Sequence, residues 1–291
     1  MRRLAAVVAA GVCLCASQVR AQAPDDILAD STPTDAMRAG TEQHRPYWKG
    51  SGPTRPFLAA NMDLGVFYVR PHLQVGYGKP HYEWFGAEIY QSLAISGGRT
   101  YAGVRGAWSI LDVRAGARYE FPTDHYYLLP RDRYEREDLE DPRFGRSNYI
   151  AGEADINLSI PIPRGSIIGV LTGYALLGIP DDRFVYENAL KVVAEPPWLW
   201  RARLGYLYHF GWQGTMRLGA AVEVIHLVDR VGAVVRAGPL FSVALTHHLE
   251  ASAAIMIVAY SPDSLGLVGA DLGQIGLRYR WATGDRFPEF P

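Results

Sequence analysis

Apolar residues recur with a period of two in the second half of the chain, and this period limits the possible folds. In residues 214–228, GTMRLGAAVEVIHLV, apolar side chains occupy every second position, and an arginine, a glutamate and small residues lie between them. Residues 236–245, RAGPLFSVAL, and 249–259, LEASAAIMIVA, alternate in the same way. Successive side chains of an extended strand point to opposite faces, so these segments are predicted to be β-strands with one apolar face and one small or polar face.

The residues on the polar face separate a closed barrel from a soluble β-sandwich, which alternates with the same period. In a soluble sheet that face is rich in Lys, Glu and Thr, whereas here it is mostly Gly, Ala, Ser and isolated charges, as expected for a narrow lumen. Beyond residue 21 no window holds about 18 uninterrupted apolar residues, which excludes a helical membrane protein. The predicted fold is all-β, a closed antiparallel transmembrane β-barrel, with a soluble periplasmic β-sandwich as the alternative.

The first residues, MRRLAAVVAAGVCLCASQVRAQA, have the features of a secretory signal peptide. Two arginines precede an apolar run that is too short to cross a bilayer as a helix, and small residues follow. We predict cleavage after Ala21, which assigns residues 1–21 to the signal and removes both cysteines, Cys13 and Cys15. Residues 22–56 carry Pro, Ser, Thr and Gly without a period and are predicted to be a flexible periplasmic segment or a plug of the lumen.

The last predicted strand carries a short motif, QIGLRYRW, at residues 274–281. It combines a polar residue, a glycine and two aromatic residues at Gln274, Gly276, Tyr279 and Trp281. This pattern resembles the C-terminal signal by which Gram-negative outer-membrane β-barrels are recognised for assembly. The resemblance implies localisation in the outer membrane, contact with outer-membrane lipid and lipopolysaccharide, and binding by the barrel-assembly machinery. The chain departs from the pattern because ten residues follow the motif, whereas the signal usually ends the chain.

Twelve strands are predicted, which assigns residues 57–282 to the barrel and residues 283–291 to a C-terminal tail. An even number suits a closed bacterial barrel whose two ends both lie in the periplasm. The predicted strands are residues 61–77, 82–95, 99–108, 111–121, 148–160, 165–176, 183–193, 198–209, 214–227, 232–245, 248–260 and 269–281. Aromatic residues near strand ends are predicted to form girdles at the two membrane interfaces. They are Trp84, Trp108, Tyr119, Phe121, Trp198, Trp200, Tyr206, Tyr208, Tyr279 and Trp281.

The long charged segment 122–147 is in conflict with this count. With twelve strands and a periplasmic N-terminus it would fall on the periplasmic side, although long loops normally face outward. If 99–121 is one long bulged strand and 177–197 is an external loop, the count becomes ten and every long loop faces outward. The stretch GAWSILDV lacks turn residues, which favours ten, whereas the alternation in 183–193, RFVYENALKVV, favours twelve. Twelve strands are preferred, with ten as the alternative.

Hairpin geometry predicts charge pairs on the lumen face of the barrel. If each hairpin closes at its turn residues, three pairs of opposite charges lie directly across neighbouring strands. The predicted pairs are Glu223 with Arg236, Glu250 with Arg278, and Arg114 with Asp155. Arg280, two residues beyond Arg278, faces inward as well. These residues predict a narrow interior crossed by ion pairs.

No catalytic, cofactor-binding or metal-binding site is predicted. His248, Glu250 and Ser252 share one strand face, but Cβ atoms two residues apart on a strand are about 7 Å apart, which is long for a direct hydrogen bond. His247 and His248 have no third ligand at a matching spacing. In the loop 122–147 arginines alternate with acidic residues, so ion pairs within the loop are expected in preference to calcium or lipopolysaccharide binding.

The near balance of charge, 29 basic against 30 acidic residues, argues against a nucleic-acid partner. The predicted function is that of an integral outer-membrane barrel, either a narrow channel for small solutes or a structural or receptor barrel. Ten to twelve strands lie between the filled interior of about 8 strands and the open pore of about 16. The alternative is an outer-membrane barrel enzyme acting on lipid or peptide, which would need a charge relay at a membrane interface.

Overall fold

The computed structural model describes residues 53–284 except positions 67, 82, 95, 212–214, 229, 231, 247 and 272–274. The predicted signal peptide, most of the 22–56 segment, Gln274 and the tail from residue 285 lie outside the described residues.

Within the described residues the chain forms fifteen β-strands. They are β1 (Arg55–Gly65), β2 (Tyr68–Lys79), β3 (Glu83–Ala94), β4 (Gly97–Ala107), β5 (Leu111–Pro122), β6 (Tyr149–Ile162), β7 (Gly165–Leu177), β8 (Val185–Glu187), β9 (Val192–Ala194), β10 (Trp198–Phe210), β11 (Met216–Leu227), β12 (Ala233–Ala244), β13 (Leu249–Ala254), β14 (Ile257–Tyr260) and β15 (Gly276–Ala282). Helical structure in the same residues consists of 3₁₀ turns in loops, at Arg136–Glu140, Pro142–Phe144 and Gly266–Gly269. In this part of the chain no helix has the length and apolar content needed to span a membrane.

Thirteen of these strands form one antiparallel sheet that closes on itself. Neighbours follow chain order from β1 to β7, β10 lies beside β7, and the ring is completed where β15 pairs with β1. β13 and β14 both pair with β12 and make one position in the ring, interrupted at Ile255 and Met256. The fold is therefore a closed twelve-stranded antiparallel barrel, the architecture of outer-membrane barrel proteins, and the predicted fold class is confirmed.

The predicted number of strands is correct, but two of the predicted strands are wrong in opposite ways. The segment 61–77 is two strands, β1 and β2, joined at Val66 and residue 67. The segment 183–193 lies outside the barrel wall and contains β8 and most of β9, which pair with each other over three residues. A strand needs about 9–11 residues to cross a bilayer, so neither can span it. Of the ten-strand alternative, the loop at 177–197 is correct, but 99–121 is two strands, β4 and β5.

The two rims of the barrel differ in their connections. β1 begins and β15 ends at one rim, which we name the terminal rim. The three longest connections, residues 123–148, 178–197 and 261–275, all lie at the opposite rim, which we name the loop rim. Because 61–77 is two strands, the strands from 82–95 to 165–176 run opposite to the predicted direction, and the absence of 183–193 from the wall restores the predicted direction from β10 onward. The segment 122–147 therefore does not lie on the side of the termini, and the expected conflict disappears.

The outer wall of the barrel is apolar over most of its height. Outward side chains such as Leu73, Val104 and Leu204 are between 53% and 64% exposed. In water an exposed apolar surface of this extent would favour aggregation, whereas hydrocarbon chains would cover it without loss of free energy. The physical chemistry of the wall is that of a lipid-facing surface.

Aromatic side chains lie on the outer wall near both rims. Trp198 and Tyr260 are exposed near the loop rim, and Trp108 and Tyr208 near the terminal rim. Aromatic side chains favour the interface between hydrocarbon and water, so two such rows fit the two faces of a bilayer. The prediction for Trp84 is wrong, since its side chain points inward and is 4% exposed.

Glycines make room for bulky side chains inside the barrel. Tyr101 is fully buried on the lumen face and stacks on Tyr90 with ring centroids 4.8 Å apart. Gly103 and Gly116 lie opposite each other across β4 and β5. A Cβ atom on Gly103 would come within 2.5 Å of the Ala115 carbonyl oxygen and would also meet the Tyr101 hydroxyl. Tyr101 therefore occupies the space that side chains at positions 103 and 116 would fill.

Candidate functional site

The loop rim is covered by the three long loops, which share a small apolar core. Its buried members come from all three loops: Leu128, Tyr134, Leu139, Phe184, Tyr186, Val193 and Leu265. Burial raises the pKa of the Tyr134 hydroxyl to about 12, and that hydroxyl donates a 2.6 Å hydrogen bond to the Leu129 carbonyl oxygen. A packed core in loops of this length indicates that they form one ordered structure, because solvated loops bury few apolar side chains. We name the three loops together, residues 123–148, 178–197 and 261–275, the cap.

One arginine joins the cap to the barrel wall. Arg230, which follows β11, donates two hydrogen bonds of 2.8 Å to the two carboxylate oxygens of Asp263. It also donates to the carbonyl oxygens of Val193, at 3.0 Å, and Asp132, at 3.2 Å. A single guanidinium therefore contacts all three long loops. Its several N–H donors lie in one plane and can bind a carboxylate and backbone carbonyl oxygens at the same time.

The hairpin of β8 and β9 enters the lumen. Its buried apolar side chains, among them Val185, Leu190 and Val192, form one cluster with side chains of β6, β7, β10, β11 and β12. Two wall residues of that cluster are Tyr174 and Leu199. We name residues 178–197 the inserted segment. It packs on the wall between β6 and β12 and narrows the lumen there.

A buried carboxylate holds the inserted segment in place. Glu187, at the end of β8, is fully buried and accepts a 2.6 Å hydrogen bond from Arg118 Nη2 on β5. Its second oxygen accepts a 3.1 Å hydrogen bond from the Tyr149 hydroxyl on β6. From the opposite wall, Arg236 Nη2 donates to the carbonyl oxygens of Leu190, at 2.6 Å, and Lys191, at 3.0 Å. Both ends of the turn between β8 and β9 are therefore tied to wall arginines.

Burial is the main cause of the pKa shifts of titratable groups in the loops. Burial lowers the pKa of the Lys191 ammonium, and the positive charge of Arg99 lowers it further. Burial raises the pKa of the Tyr186 hydroxyl, and it lowers the pKa of His125, against the opposing charge of Asp124. Lys191 of the inserted segment therefore lies within electrostatic range of Arg99 on the wall.

Two of the three predicted charge pairs form ion pairs in the registers that the hairpins predict. Arg114 lies opposite Asp155, and Arg114 Nε donates a 2.8 Å hydrogen bond to Oδ2. Glu223 lies opposite Arg236, with a 3.1 Å hydrogen bond from Arg236 Nη1. Glu223 is also bound by Arg203, at 2.7 and 2.9 Å.

The third pair is opposite in register but exchanges partners. Glu250 lies across from Arg278, yet its carboxylate accepts a 2.8 Å hydrogen bond from Arg280. Arg278 instead donates to both oxygens of Asp63 on β1, at 2.6 and 3.0 Å. Asp63 also lies 3.6 Å from the His72 ring. β15, the strand that closes the ring, is thus joined to β1 by an ion pair that was not predicted from the sequence.

Further charged residues join these pairs into a network that follows the inner wall. Arg105 Nε donates to Asp112 at 2.8 Å and Nη1 to Glu88 at 3.2 Å, and Arg118 contacts Glu153. The members missed by the sequence reasoning are Asp63, Glu88, Arg105, Asp112, Arg118, Glu120, Glu153, Glu187, Arg201, Arg203 and Asp271. Strand parity could have found most of them, because they occupy the inward face already defined by the predicted charges.

Three residues of the predicted assembly motif, Gly276, Tyr279 and Trp281, lie on β15, the strand that closes the ring. Tyr279 is 45% exposed on the outer wall, and Trp281, two residues on, is half-buried. Gly276 lies opposite Gly65, and a Cβ atom there would meet the Leu64 carbonyl group. Gln274, the first residue of the motif, lies outside the described residues.

The histidine constellation considered in the sequence is not assembled as a relay. His248 Nδ1 lies 2.9 Å from the Arg280 carbonyl oxygen, and the Glu250 carboxylate is bound by the Arg280 side chain. Ser252 lines a cavity of about 160 Å³ beside β12 and β13. Across the described ranges no cluster of three or more His, Cys, Asp or Glu could hold a metal ion, and His247 lies outside those ranges.

Loop arginines pair within the cap. Arg131 Nη1 donates a 2.5 Å hydrogen bond to Asp138, and Arg143 is paired with Asp141. The hydrogen bonds that Arg143 donates lower the pKa of the Asp141 carboxyl below its ordinary value. Exposed pairs of this kind contribute little to stability.

Comparison with known proteins adds little to these observations. No family model matches the sequence, and no curated protein matches it. Among solved structures the chain is similar to one described as KdgM porin, with 8% sequence identity and a TM-score of 0.37. That likeness covers 78% of this chain and 96% of the other chain. No function follows from it.

Proposed function

We propose that the protein is an integral outer-membrane barrel that conducts small solutes through a lumen narrowed by the inserted segment. The apolar outer wall, with Leu73, Val104 and Leu204 exposed between two aromatic rows, supports insertion in a bilayer. The placement of all long loops at one rim supports an orientation with the terminal rim in the periplasm and the loop rim outside.

The observation that carries the proposal is the inserted segment itself. Wall side chains alone fill the interior of a barrel of about 8 strands, whereas a ring of twelve strands is wider. Here a separate hairpin enters the lumen and is held at one end by Glu187 and at the other by Arg236. Such a segment narrows a pore whose diameter the strand number would otherwise leave wide.

The charged inner wall supports a conducting role for the rest of the lumen. Polar groups that line a water-filled passage lower the free energy of a passing solute, whereas an apolar interior would exclude it. Paired charges such as Arg114 with Asp155 also fix side chains in one conformation, so the passage keeps a defined width.

Partners remain expectations of the proposal. Outer-membrane lipid and lipopolysaccharide would contact the outer wall and the loop rim, and the barrel-assembly machinery would bind the closing strand through Tyr279 and Trp281. No cofactor and no nucleic-acid partner is expected.

A structural or receptor barrel is the second candidate. It is favoured by the built cap, in which Arg230 contacts all three long loops. A cap of this kind presents a fixed external surface, as receptors do.

Single-channel conductance in a planar bilayer tests the proposal. Refolded full-length protein is compared with a variant in which residues 181–195 are replaced by a short Gly-Ser linker, and with a deletion of residues 22–52, which leaves β1 intact. We expect small, steady openings from the full-length protein and larger ones when the inserted segment is removed. Silence from all three, with heat-modifiable gel migration showing folded barrels, would favour the structural or receptor function.

A further inference from the structure

The inner wall has an uneven balance of charge near the loop rim. Most lumen arginines bind a carboxylate, but Arg70 on β2 does not: no carboxylate of the described residues lies within ion-pair distance of it. Its Nε atom is buried and lacks a hydrogen-bond partner among the same residues. The guanidinium lies instead over the rings of Tyr68, at 4.7 Å, and Tyr90, at 5.8 Å.

The nearest carboxylate in register is already engaged. Asp63 lies directly across from Arg70 on β1, but both of its oxygens accept hydrogen bonds from Arg278, and His72 lies 3.6 Å away. Asp63 attracts Arg70 at longer range and does not bind it. A desolvated guanidinium without a bound anion is unfavourable, so Arg70 has unused capacity for one.

A second unpartnered polar group lies on the neighbouring strand. Ser92 on β3 is 1% exposed, and its hydroxyl has no hydrogen-bond partner within the described part of the chain. It lies opposite Arg99 on β4, whose contact with Glu120 is long, at 3.9 Å. Arg99 is also within electrostatic range of Arg70. Two cations and a free hydroxyl therefore meet on three adjacent strands.

The inserted segment adds a third cation. Lys191 lies in the turn between β8 and β9, where its Nζ donates a 2.7 Å hydrogen bond to Asn188. Burial lowers the pKa of Lys191, and Arg99 is the charged group that lowers it most, so the two cations lie within electrostatic range of each other. The apolar cluster of the segment lies against β6 to β12, on the other side from β2, β3 and β4.

We propose that Arg70, Ser92 and Arg99 on the wall, with Lys191 on the inserted segment, form a binding site for a small carboxylate at the narrow part of the lumen. A carboxylate would accept hydrogen bonds from the guanidinium of Arg70 and the hydroxyl of Ser92, and two further cations would offset its charge. Carboxylate is the fitting class because a planar guanidinium can bind its two oxygens together. The role of the site in selecting solutes rests on the proposed channel function, whereas the binding itself does not.

Binding is tested with carbon-13 acetate and refolded full-length protein in detergent, at constant ionic strength, by line broadening of the acetate signal. Acetamide, which is neutral and of similar shape, is the matched probe. We expect broadening of acetate but not of acetamide, and binding about ten-fold weaker in Arg70→Gln. Ser92→Ala and Arg99→Gln are measured in parallel, so that the test survives if one variant does not fold.

Arg217→Gln is the control variant. Arg217 also faces the lumen on β11, near the terminal rim, and no carboxylate of the described residues lies within ion-pair distance of it. We expect its acetate binding to equal that of the unaltered protein. Equal broadening of both probes, or equal losses in Arg217→Gln and Arg70→Gln, would overturn the site.

Conductance separates this proposal from the channel proposal. Reversal potentials in a potassium acetate gradient give the ratio of anion to cation permeability, and we expect Arg70→Gln to lower it. Acetate binding without any conductance would support the site and reject the channel. Conductance without acetate binding would support the channel and reject the site.

Discussion

The Glu187 carboxylate of the inserted segment accepts a 2.6 Å hydrogen bond from Arg118 of the barrel wall, and both side chains are fully buried. The two residues are 69 positions apart in the chain. Arg118 also contacts Glu153 and Glu120, so it stays paired with the wall when Glu187 is altered.

Glu187→Gln should loosen the inserted segment without unfolding the barrel. Loss of the charged hydrogen bond is expected to weaken its attachment by about 1–3 kcal/mol. Trypsin cleavage after Lys191, followed by mass spectrometry, should become faster, and single-channel conductance should rise. Glu137→Gln, at an exposed position of the cap, is the control and should change neither. Unchanged cleavage in Glu187→Gln would mean that the apolar contacts alone hold the segment.

Replacement of both Tyr279 and Trp281 by Ala should block assembly of the barrel in cells. The closing strand pairs with β1 and β13, so a chain that is not recognised at this strand leaves the ring open. Loss of heat-modifiable migration in a gel measures the effect. Tyr206 and Tyr208, exposed aromatic residues near the same rim, provide the matched double substitution, which should assemble. Normal migration of the Tyr279 and Trp281 variant would contradict the motif.

Gly103→Ala should destabilise the barrel by about 1–3 kcal/mol, as overpacking of a filled interior usually does. The new methyl group would press on the Ala115 carbonyl oxygen and the Tyr101 hydroxyl. The midpoint of urea unfolding in detergent measures the change. Gly173→Ala is the control, because a Cβ atom at Gly173 has no atom within 4 Å, and its midpoint should not fall. Equal urea midpoints for the two variants would show that the side chains and backbone around Gly103 adjust to the added methyl group.

Stability should fall between neutral and acidic pH in part because of His81, in the turn after β2. Burial lowers its pKa to about 3 from an ordinary value of 6.5, and the charge of Arg280 contributes. Below pH 6.5 the unfolded chain binds a proton at His81, whereas the folded chain does not bind it until the pH nears 3. The contribution of His81 to the free energy of unfolding is therefore complete above pH 6.5 and is lost as the pH falls toward 3. Asparagine is the suitable replacement for His81, because it does not titrate and tolerates the left-handed backbone conformation at this position, φ 64°.

The urea midpoint at pH 7 and at pH 5 measures this dependence in the unaltered protein and in His81→Asn. We expect a smaller difference between the two pH values in the variant. The same difference in both proteins would assign the pH dependence to other groups, such as His125 in the cap.

Local alternation predicted the strands of the barrel better than their connections. The pairing of Arg114 with Asp155 and of Glu223 with Arg236 follows from strand parity and turn position, both of which are local in sequence. The turn at Val66 was missed because its one turn residue, Gly65, is followed by a run of apolar residues without Pro, Asn or Asp. Turn chemistry, which sets parity, was therefore the weakest part of the prediction.

The inserted segment was misassigned for a different reason. Its alternation is real, since β8 and β9 are strands, but alternation reports backbone conformation and not position in the fold. Asn188, a residue that favours turns, lies inside the predicted strand and was the available warning. The contact of Glu187 with Arg118 could not be predicted, because nothing local in sequence brings a loop into the lumen.

Because β1 begins and β15 ends at the same rim, anything fused before Arg55 or after Ala282 would share one compartment, whatever its size. In the proposed orientation that compartment is the periplasm, so antibodies added to intact cells would not reach an epitope tag placed directly before Arg55 or directly after Ala282. A peptide inserted beside Glu137, an exposed residue of the cap, would instead be displayed on the cell surface.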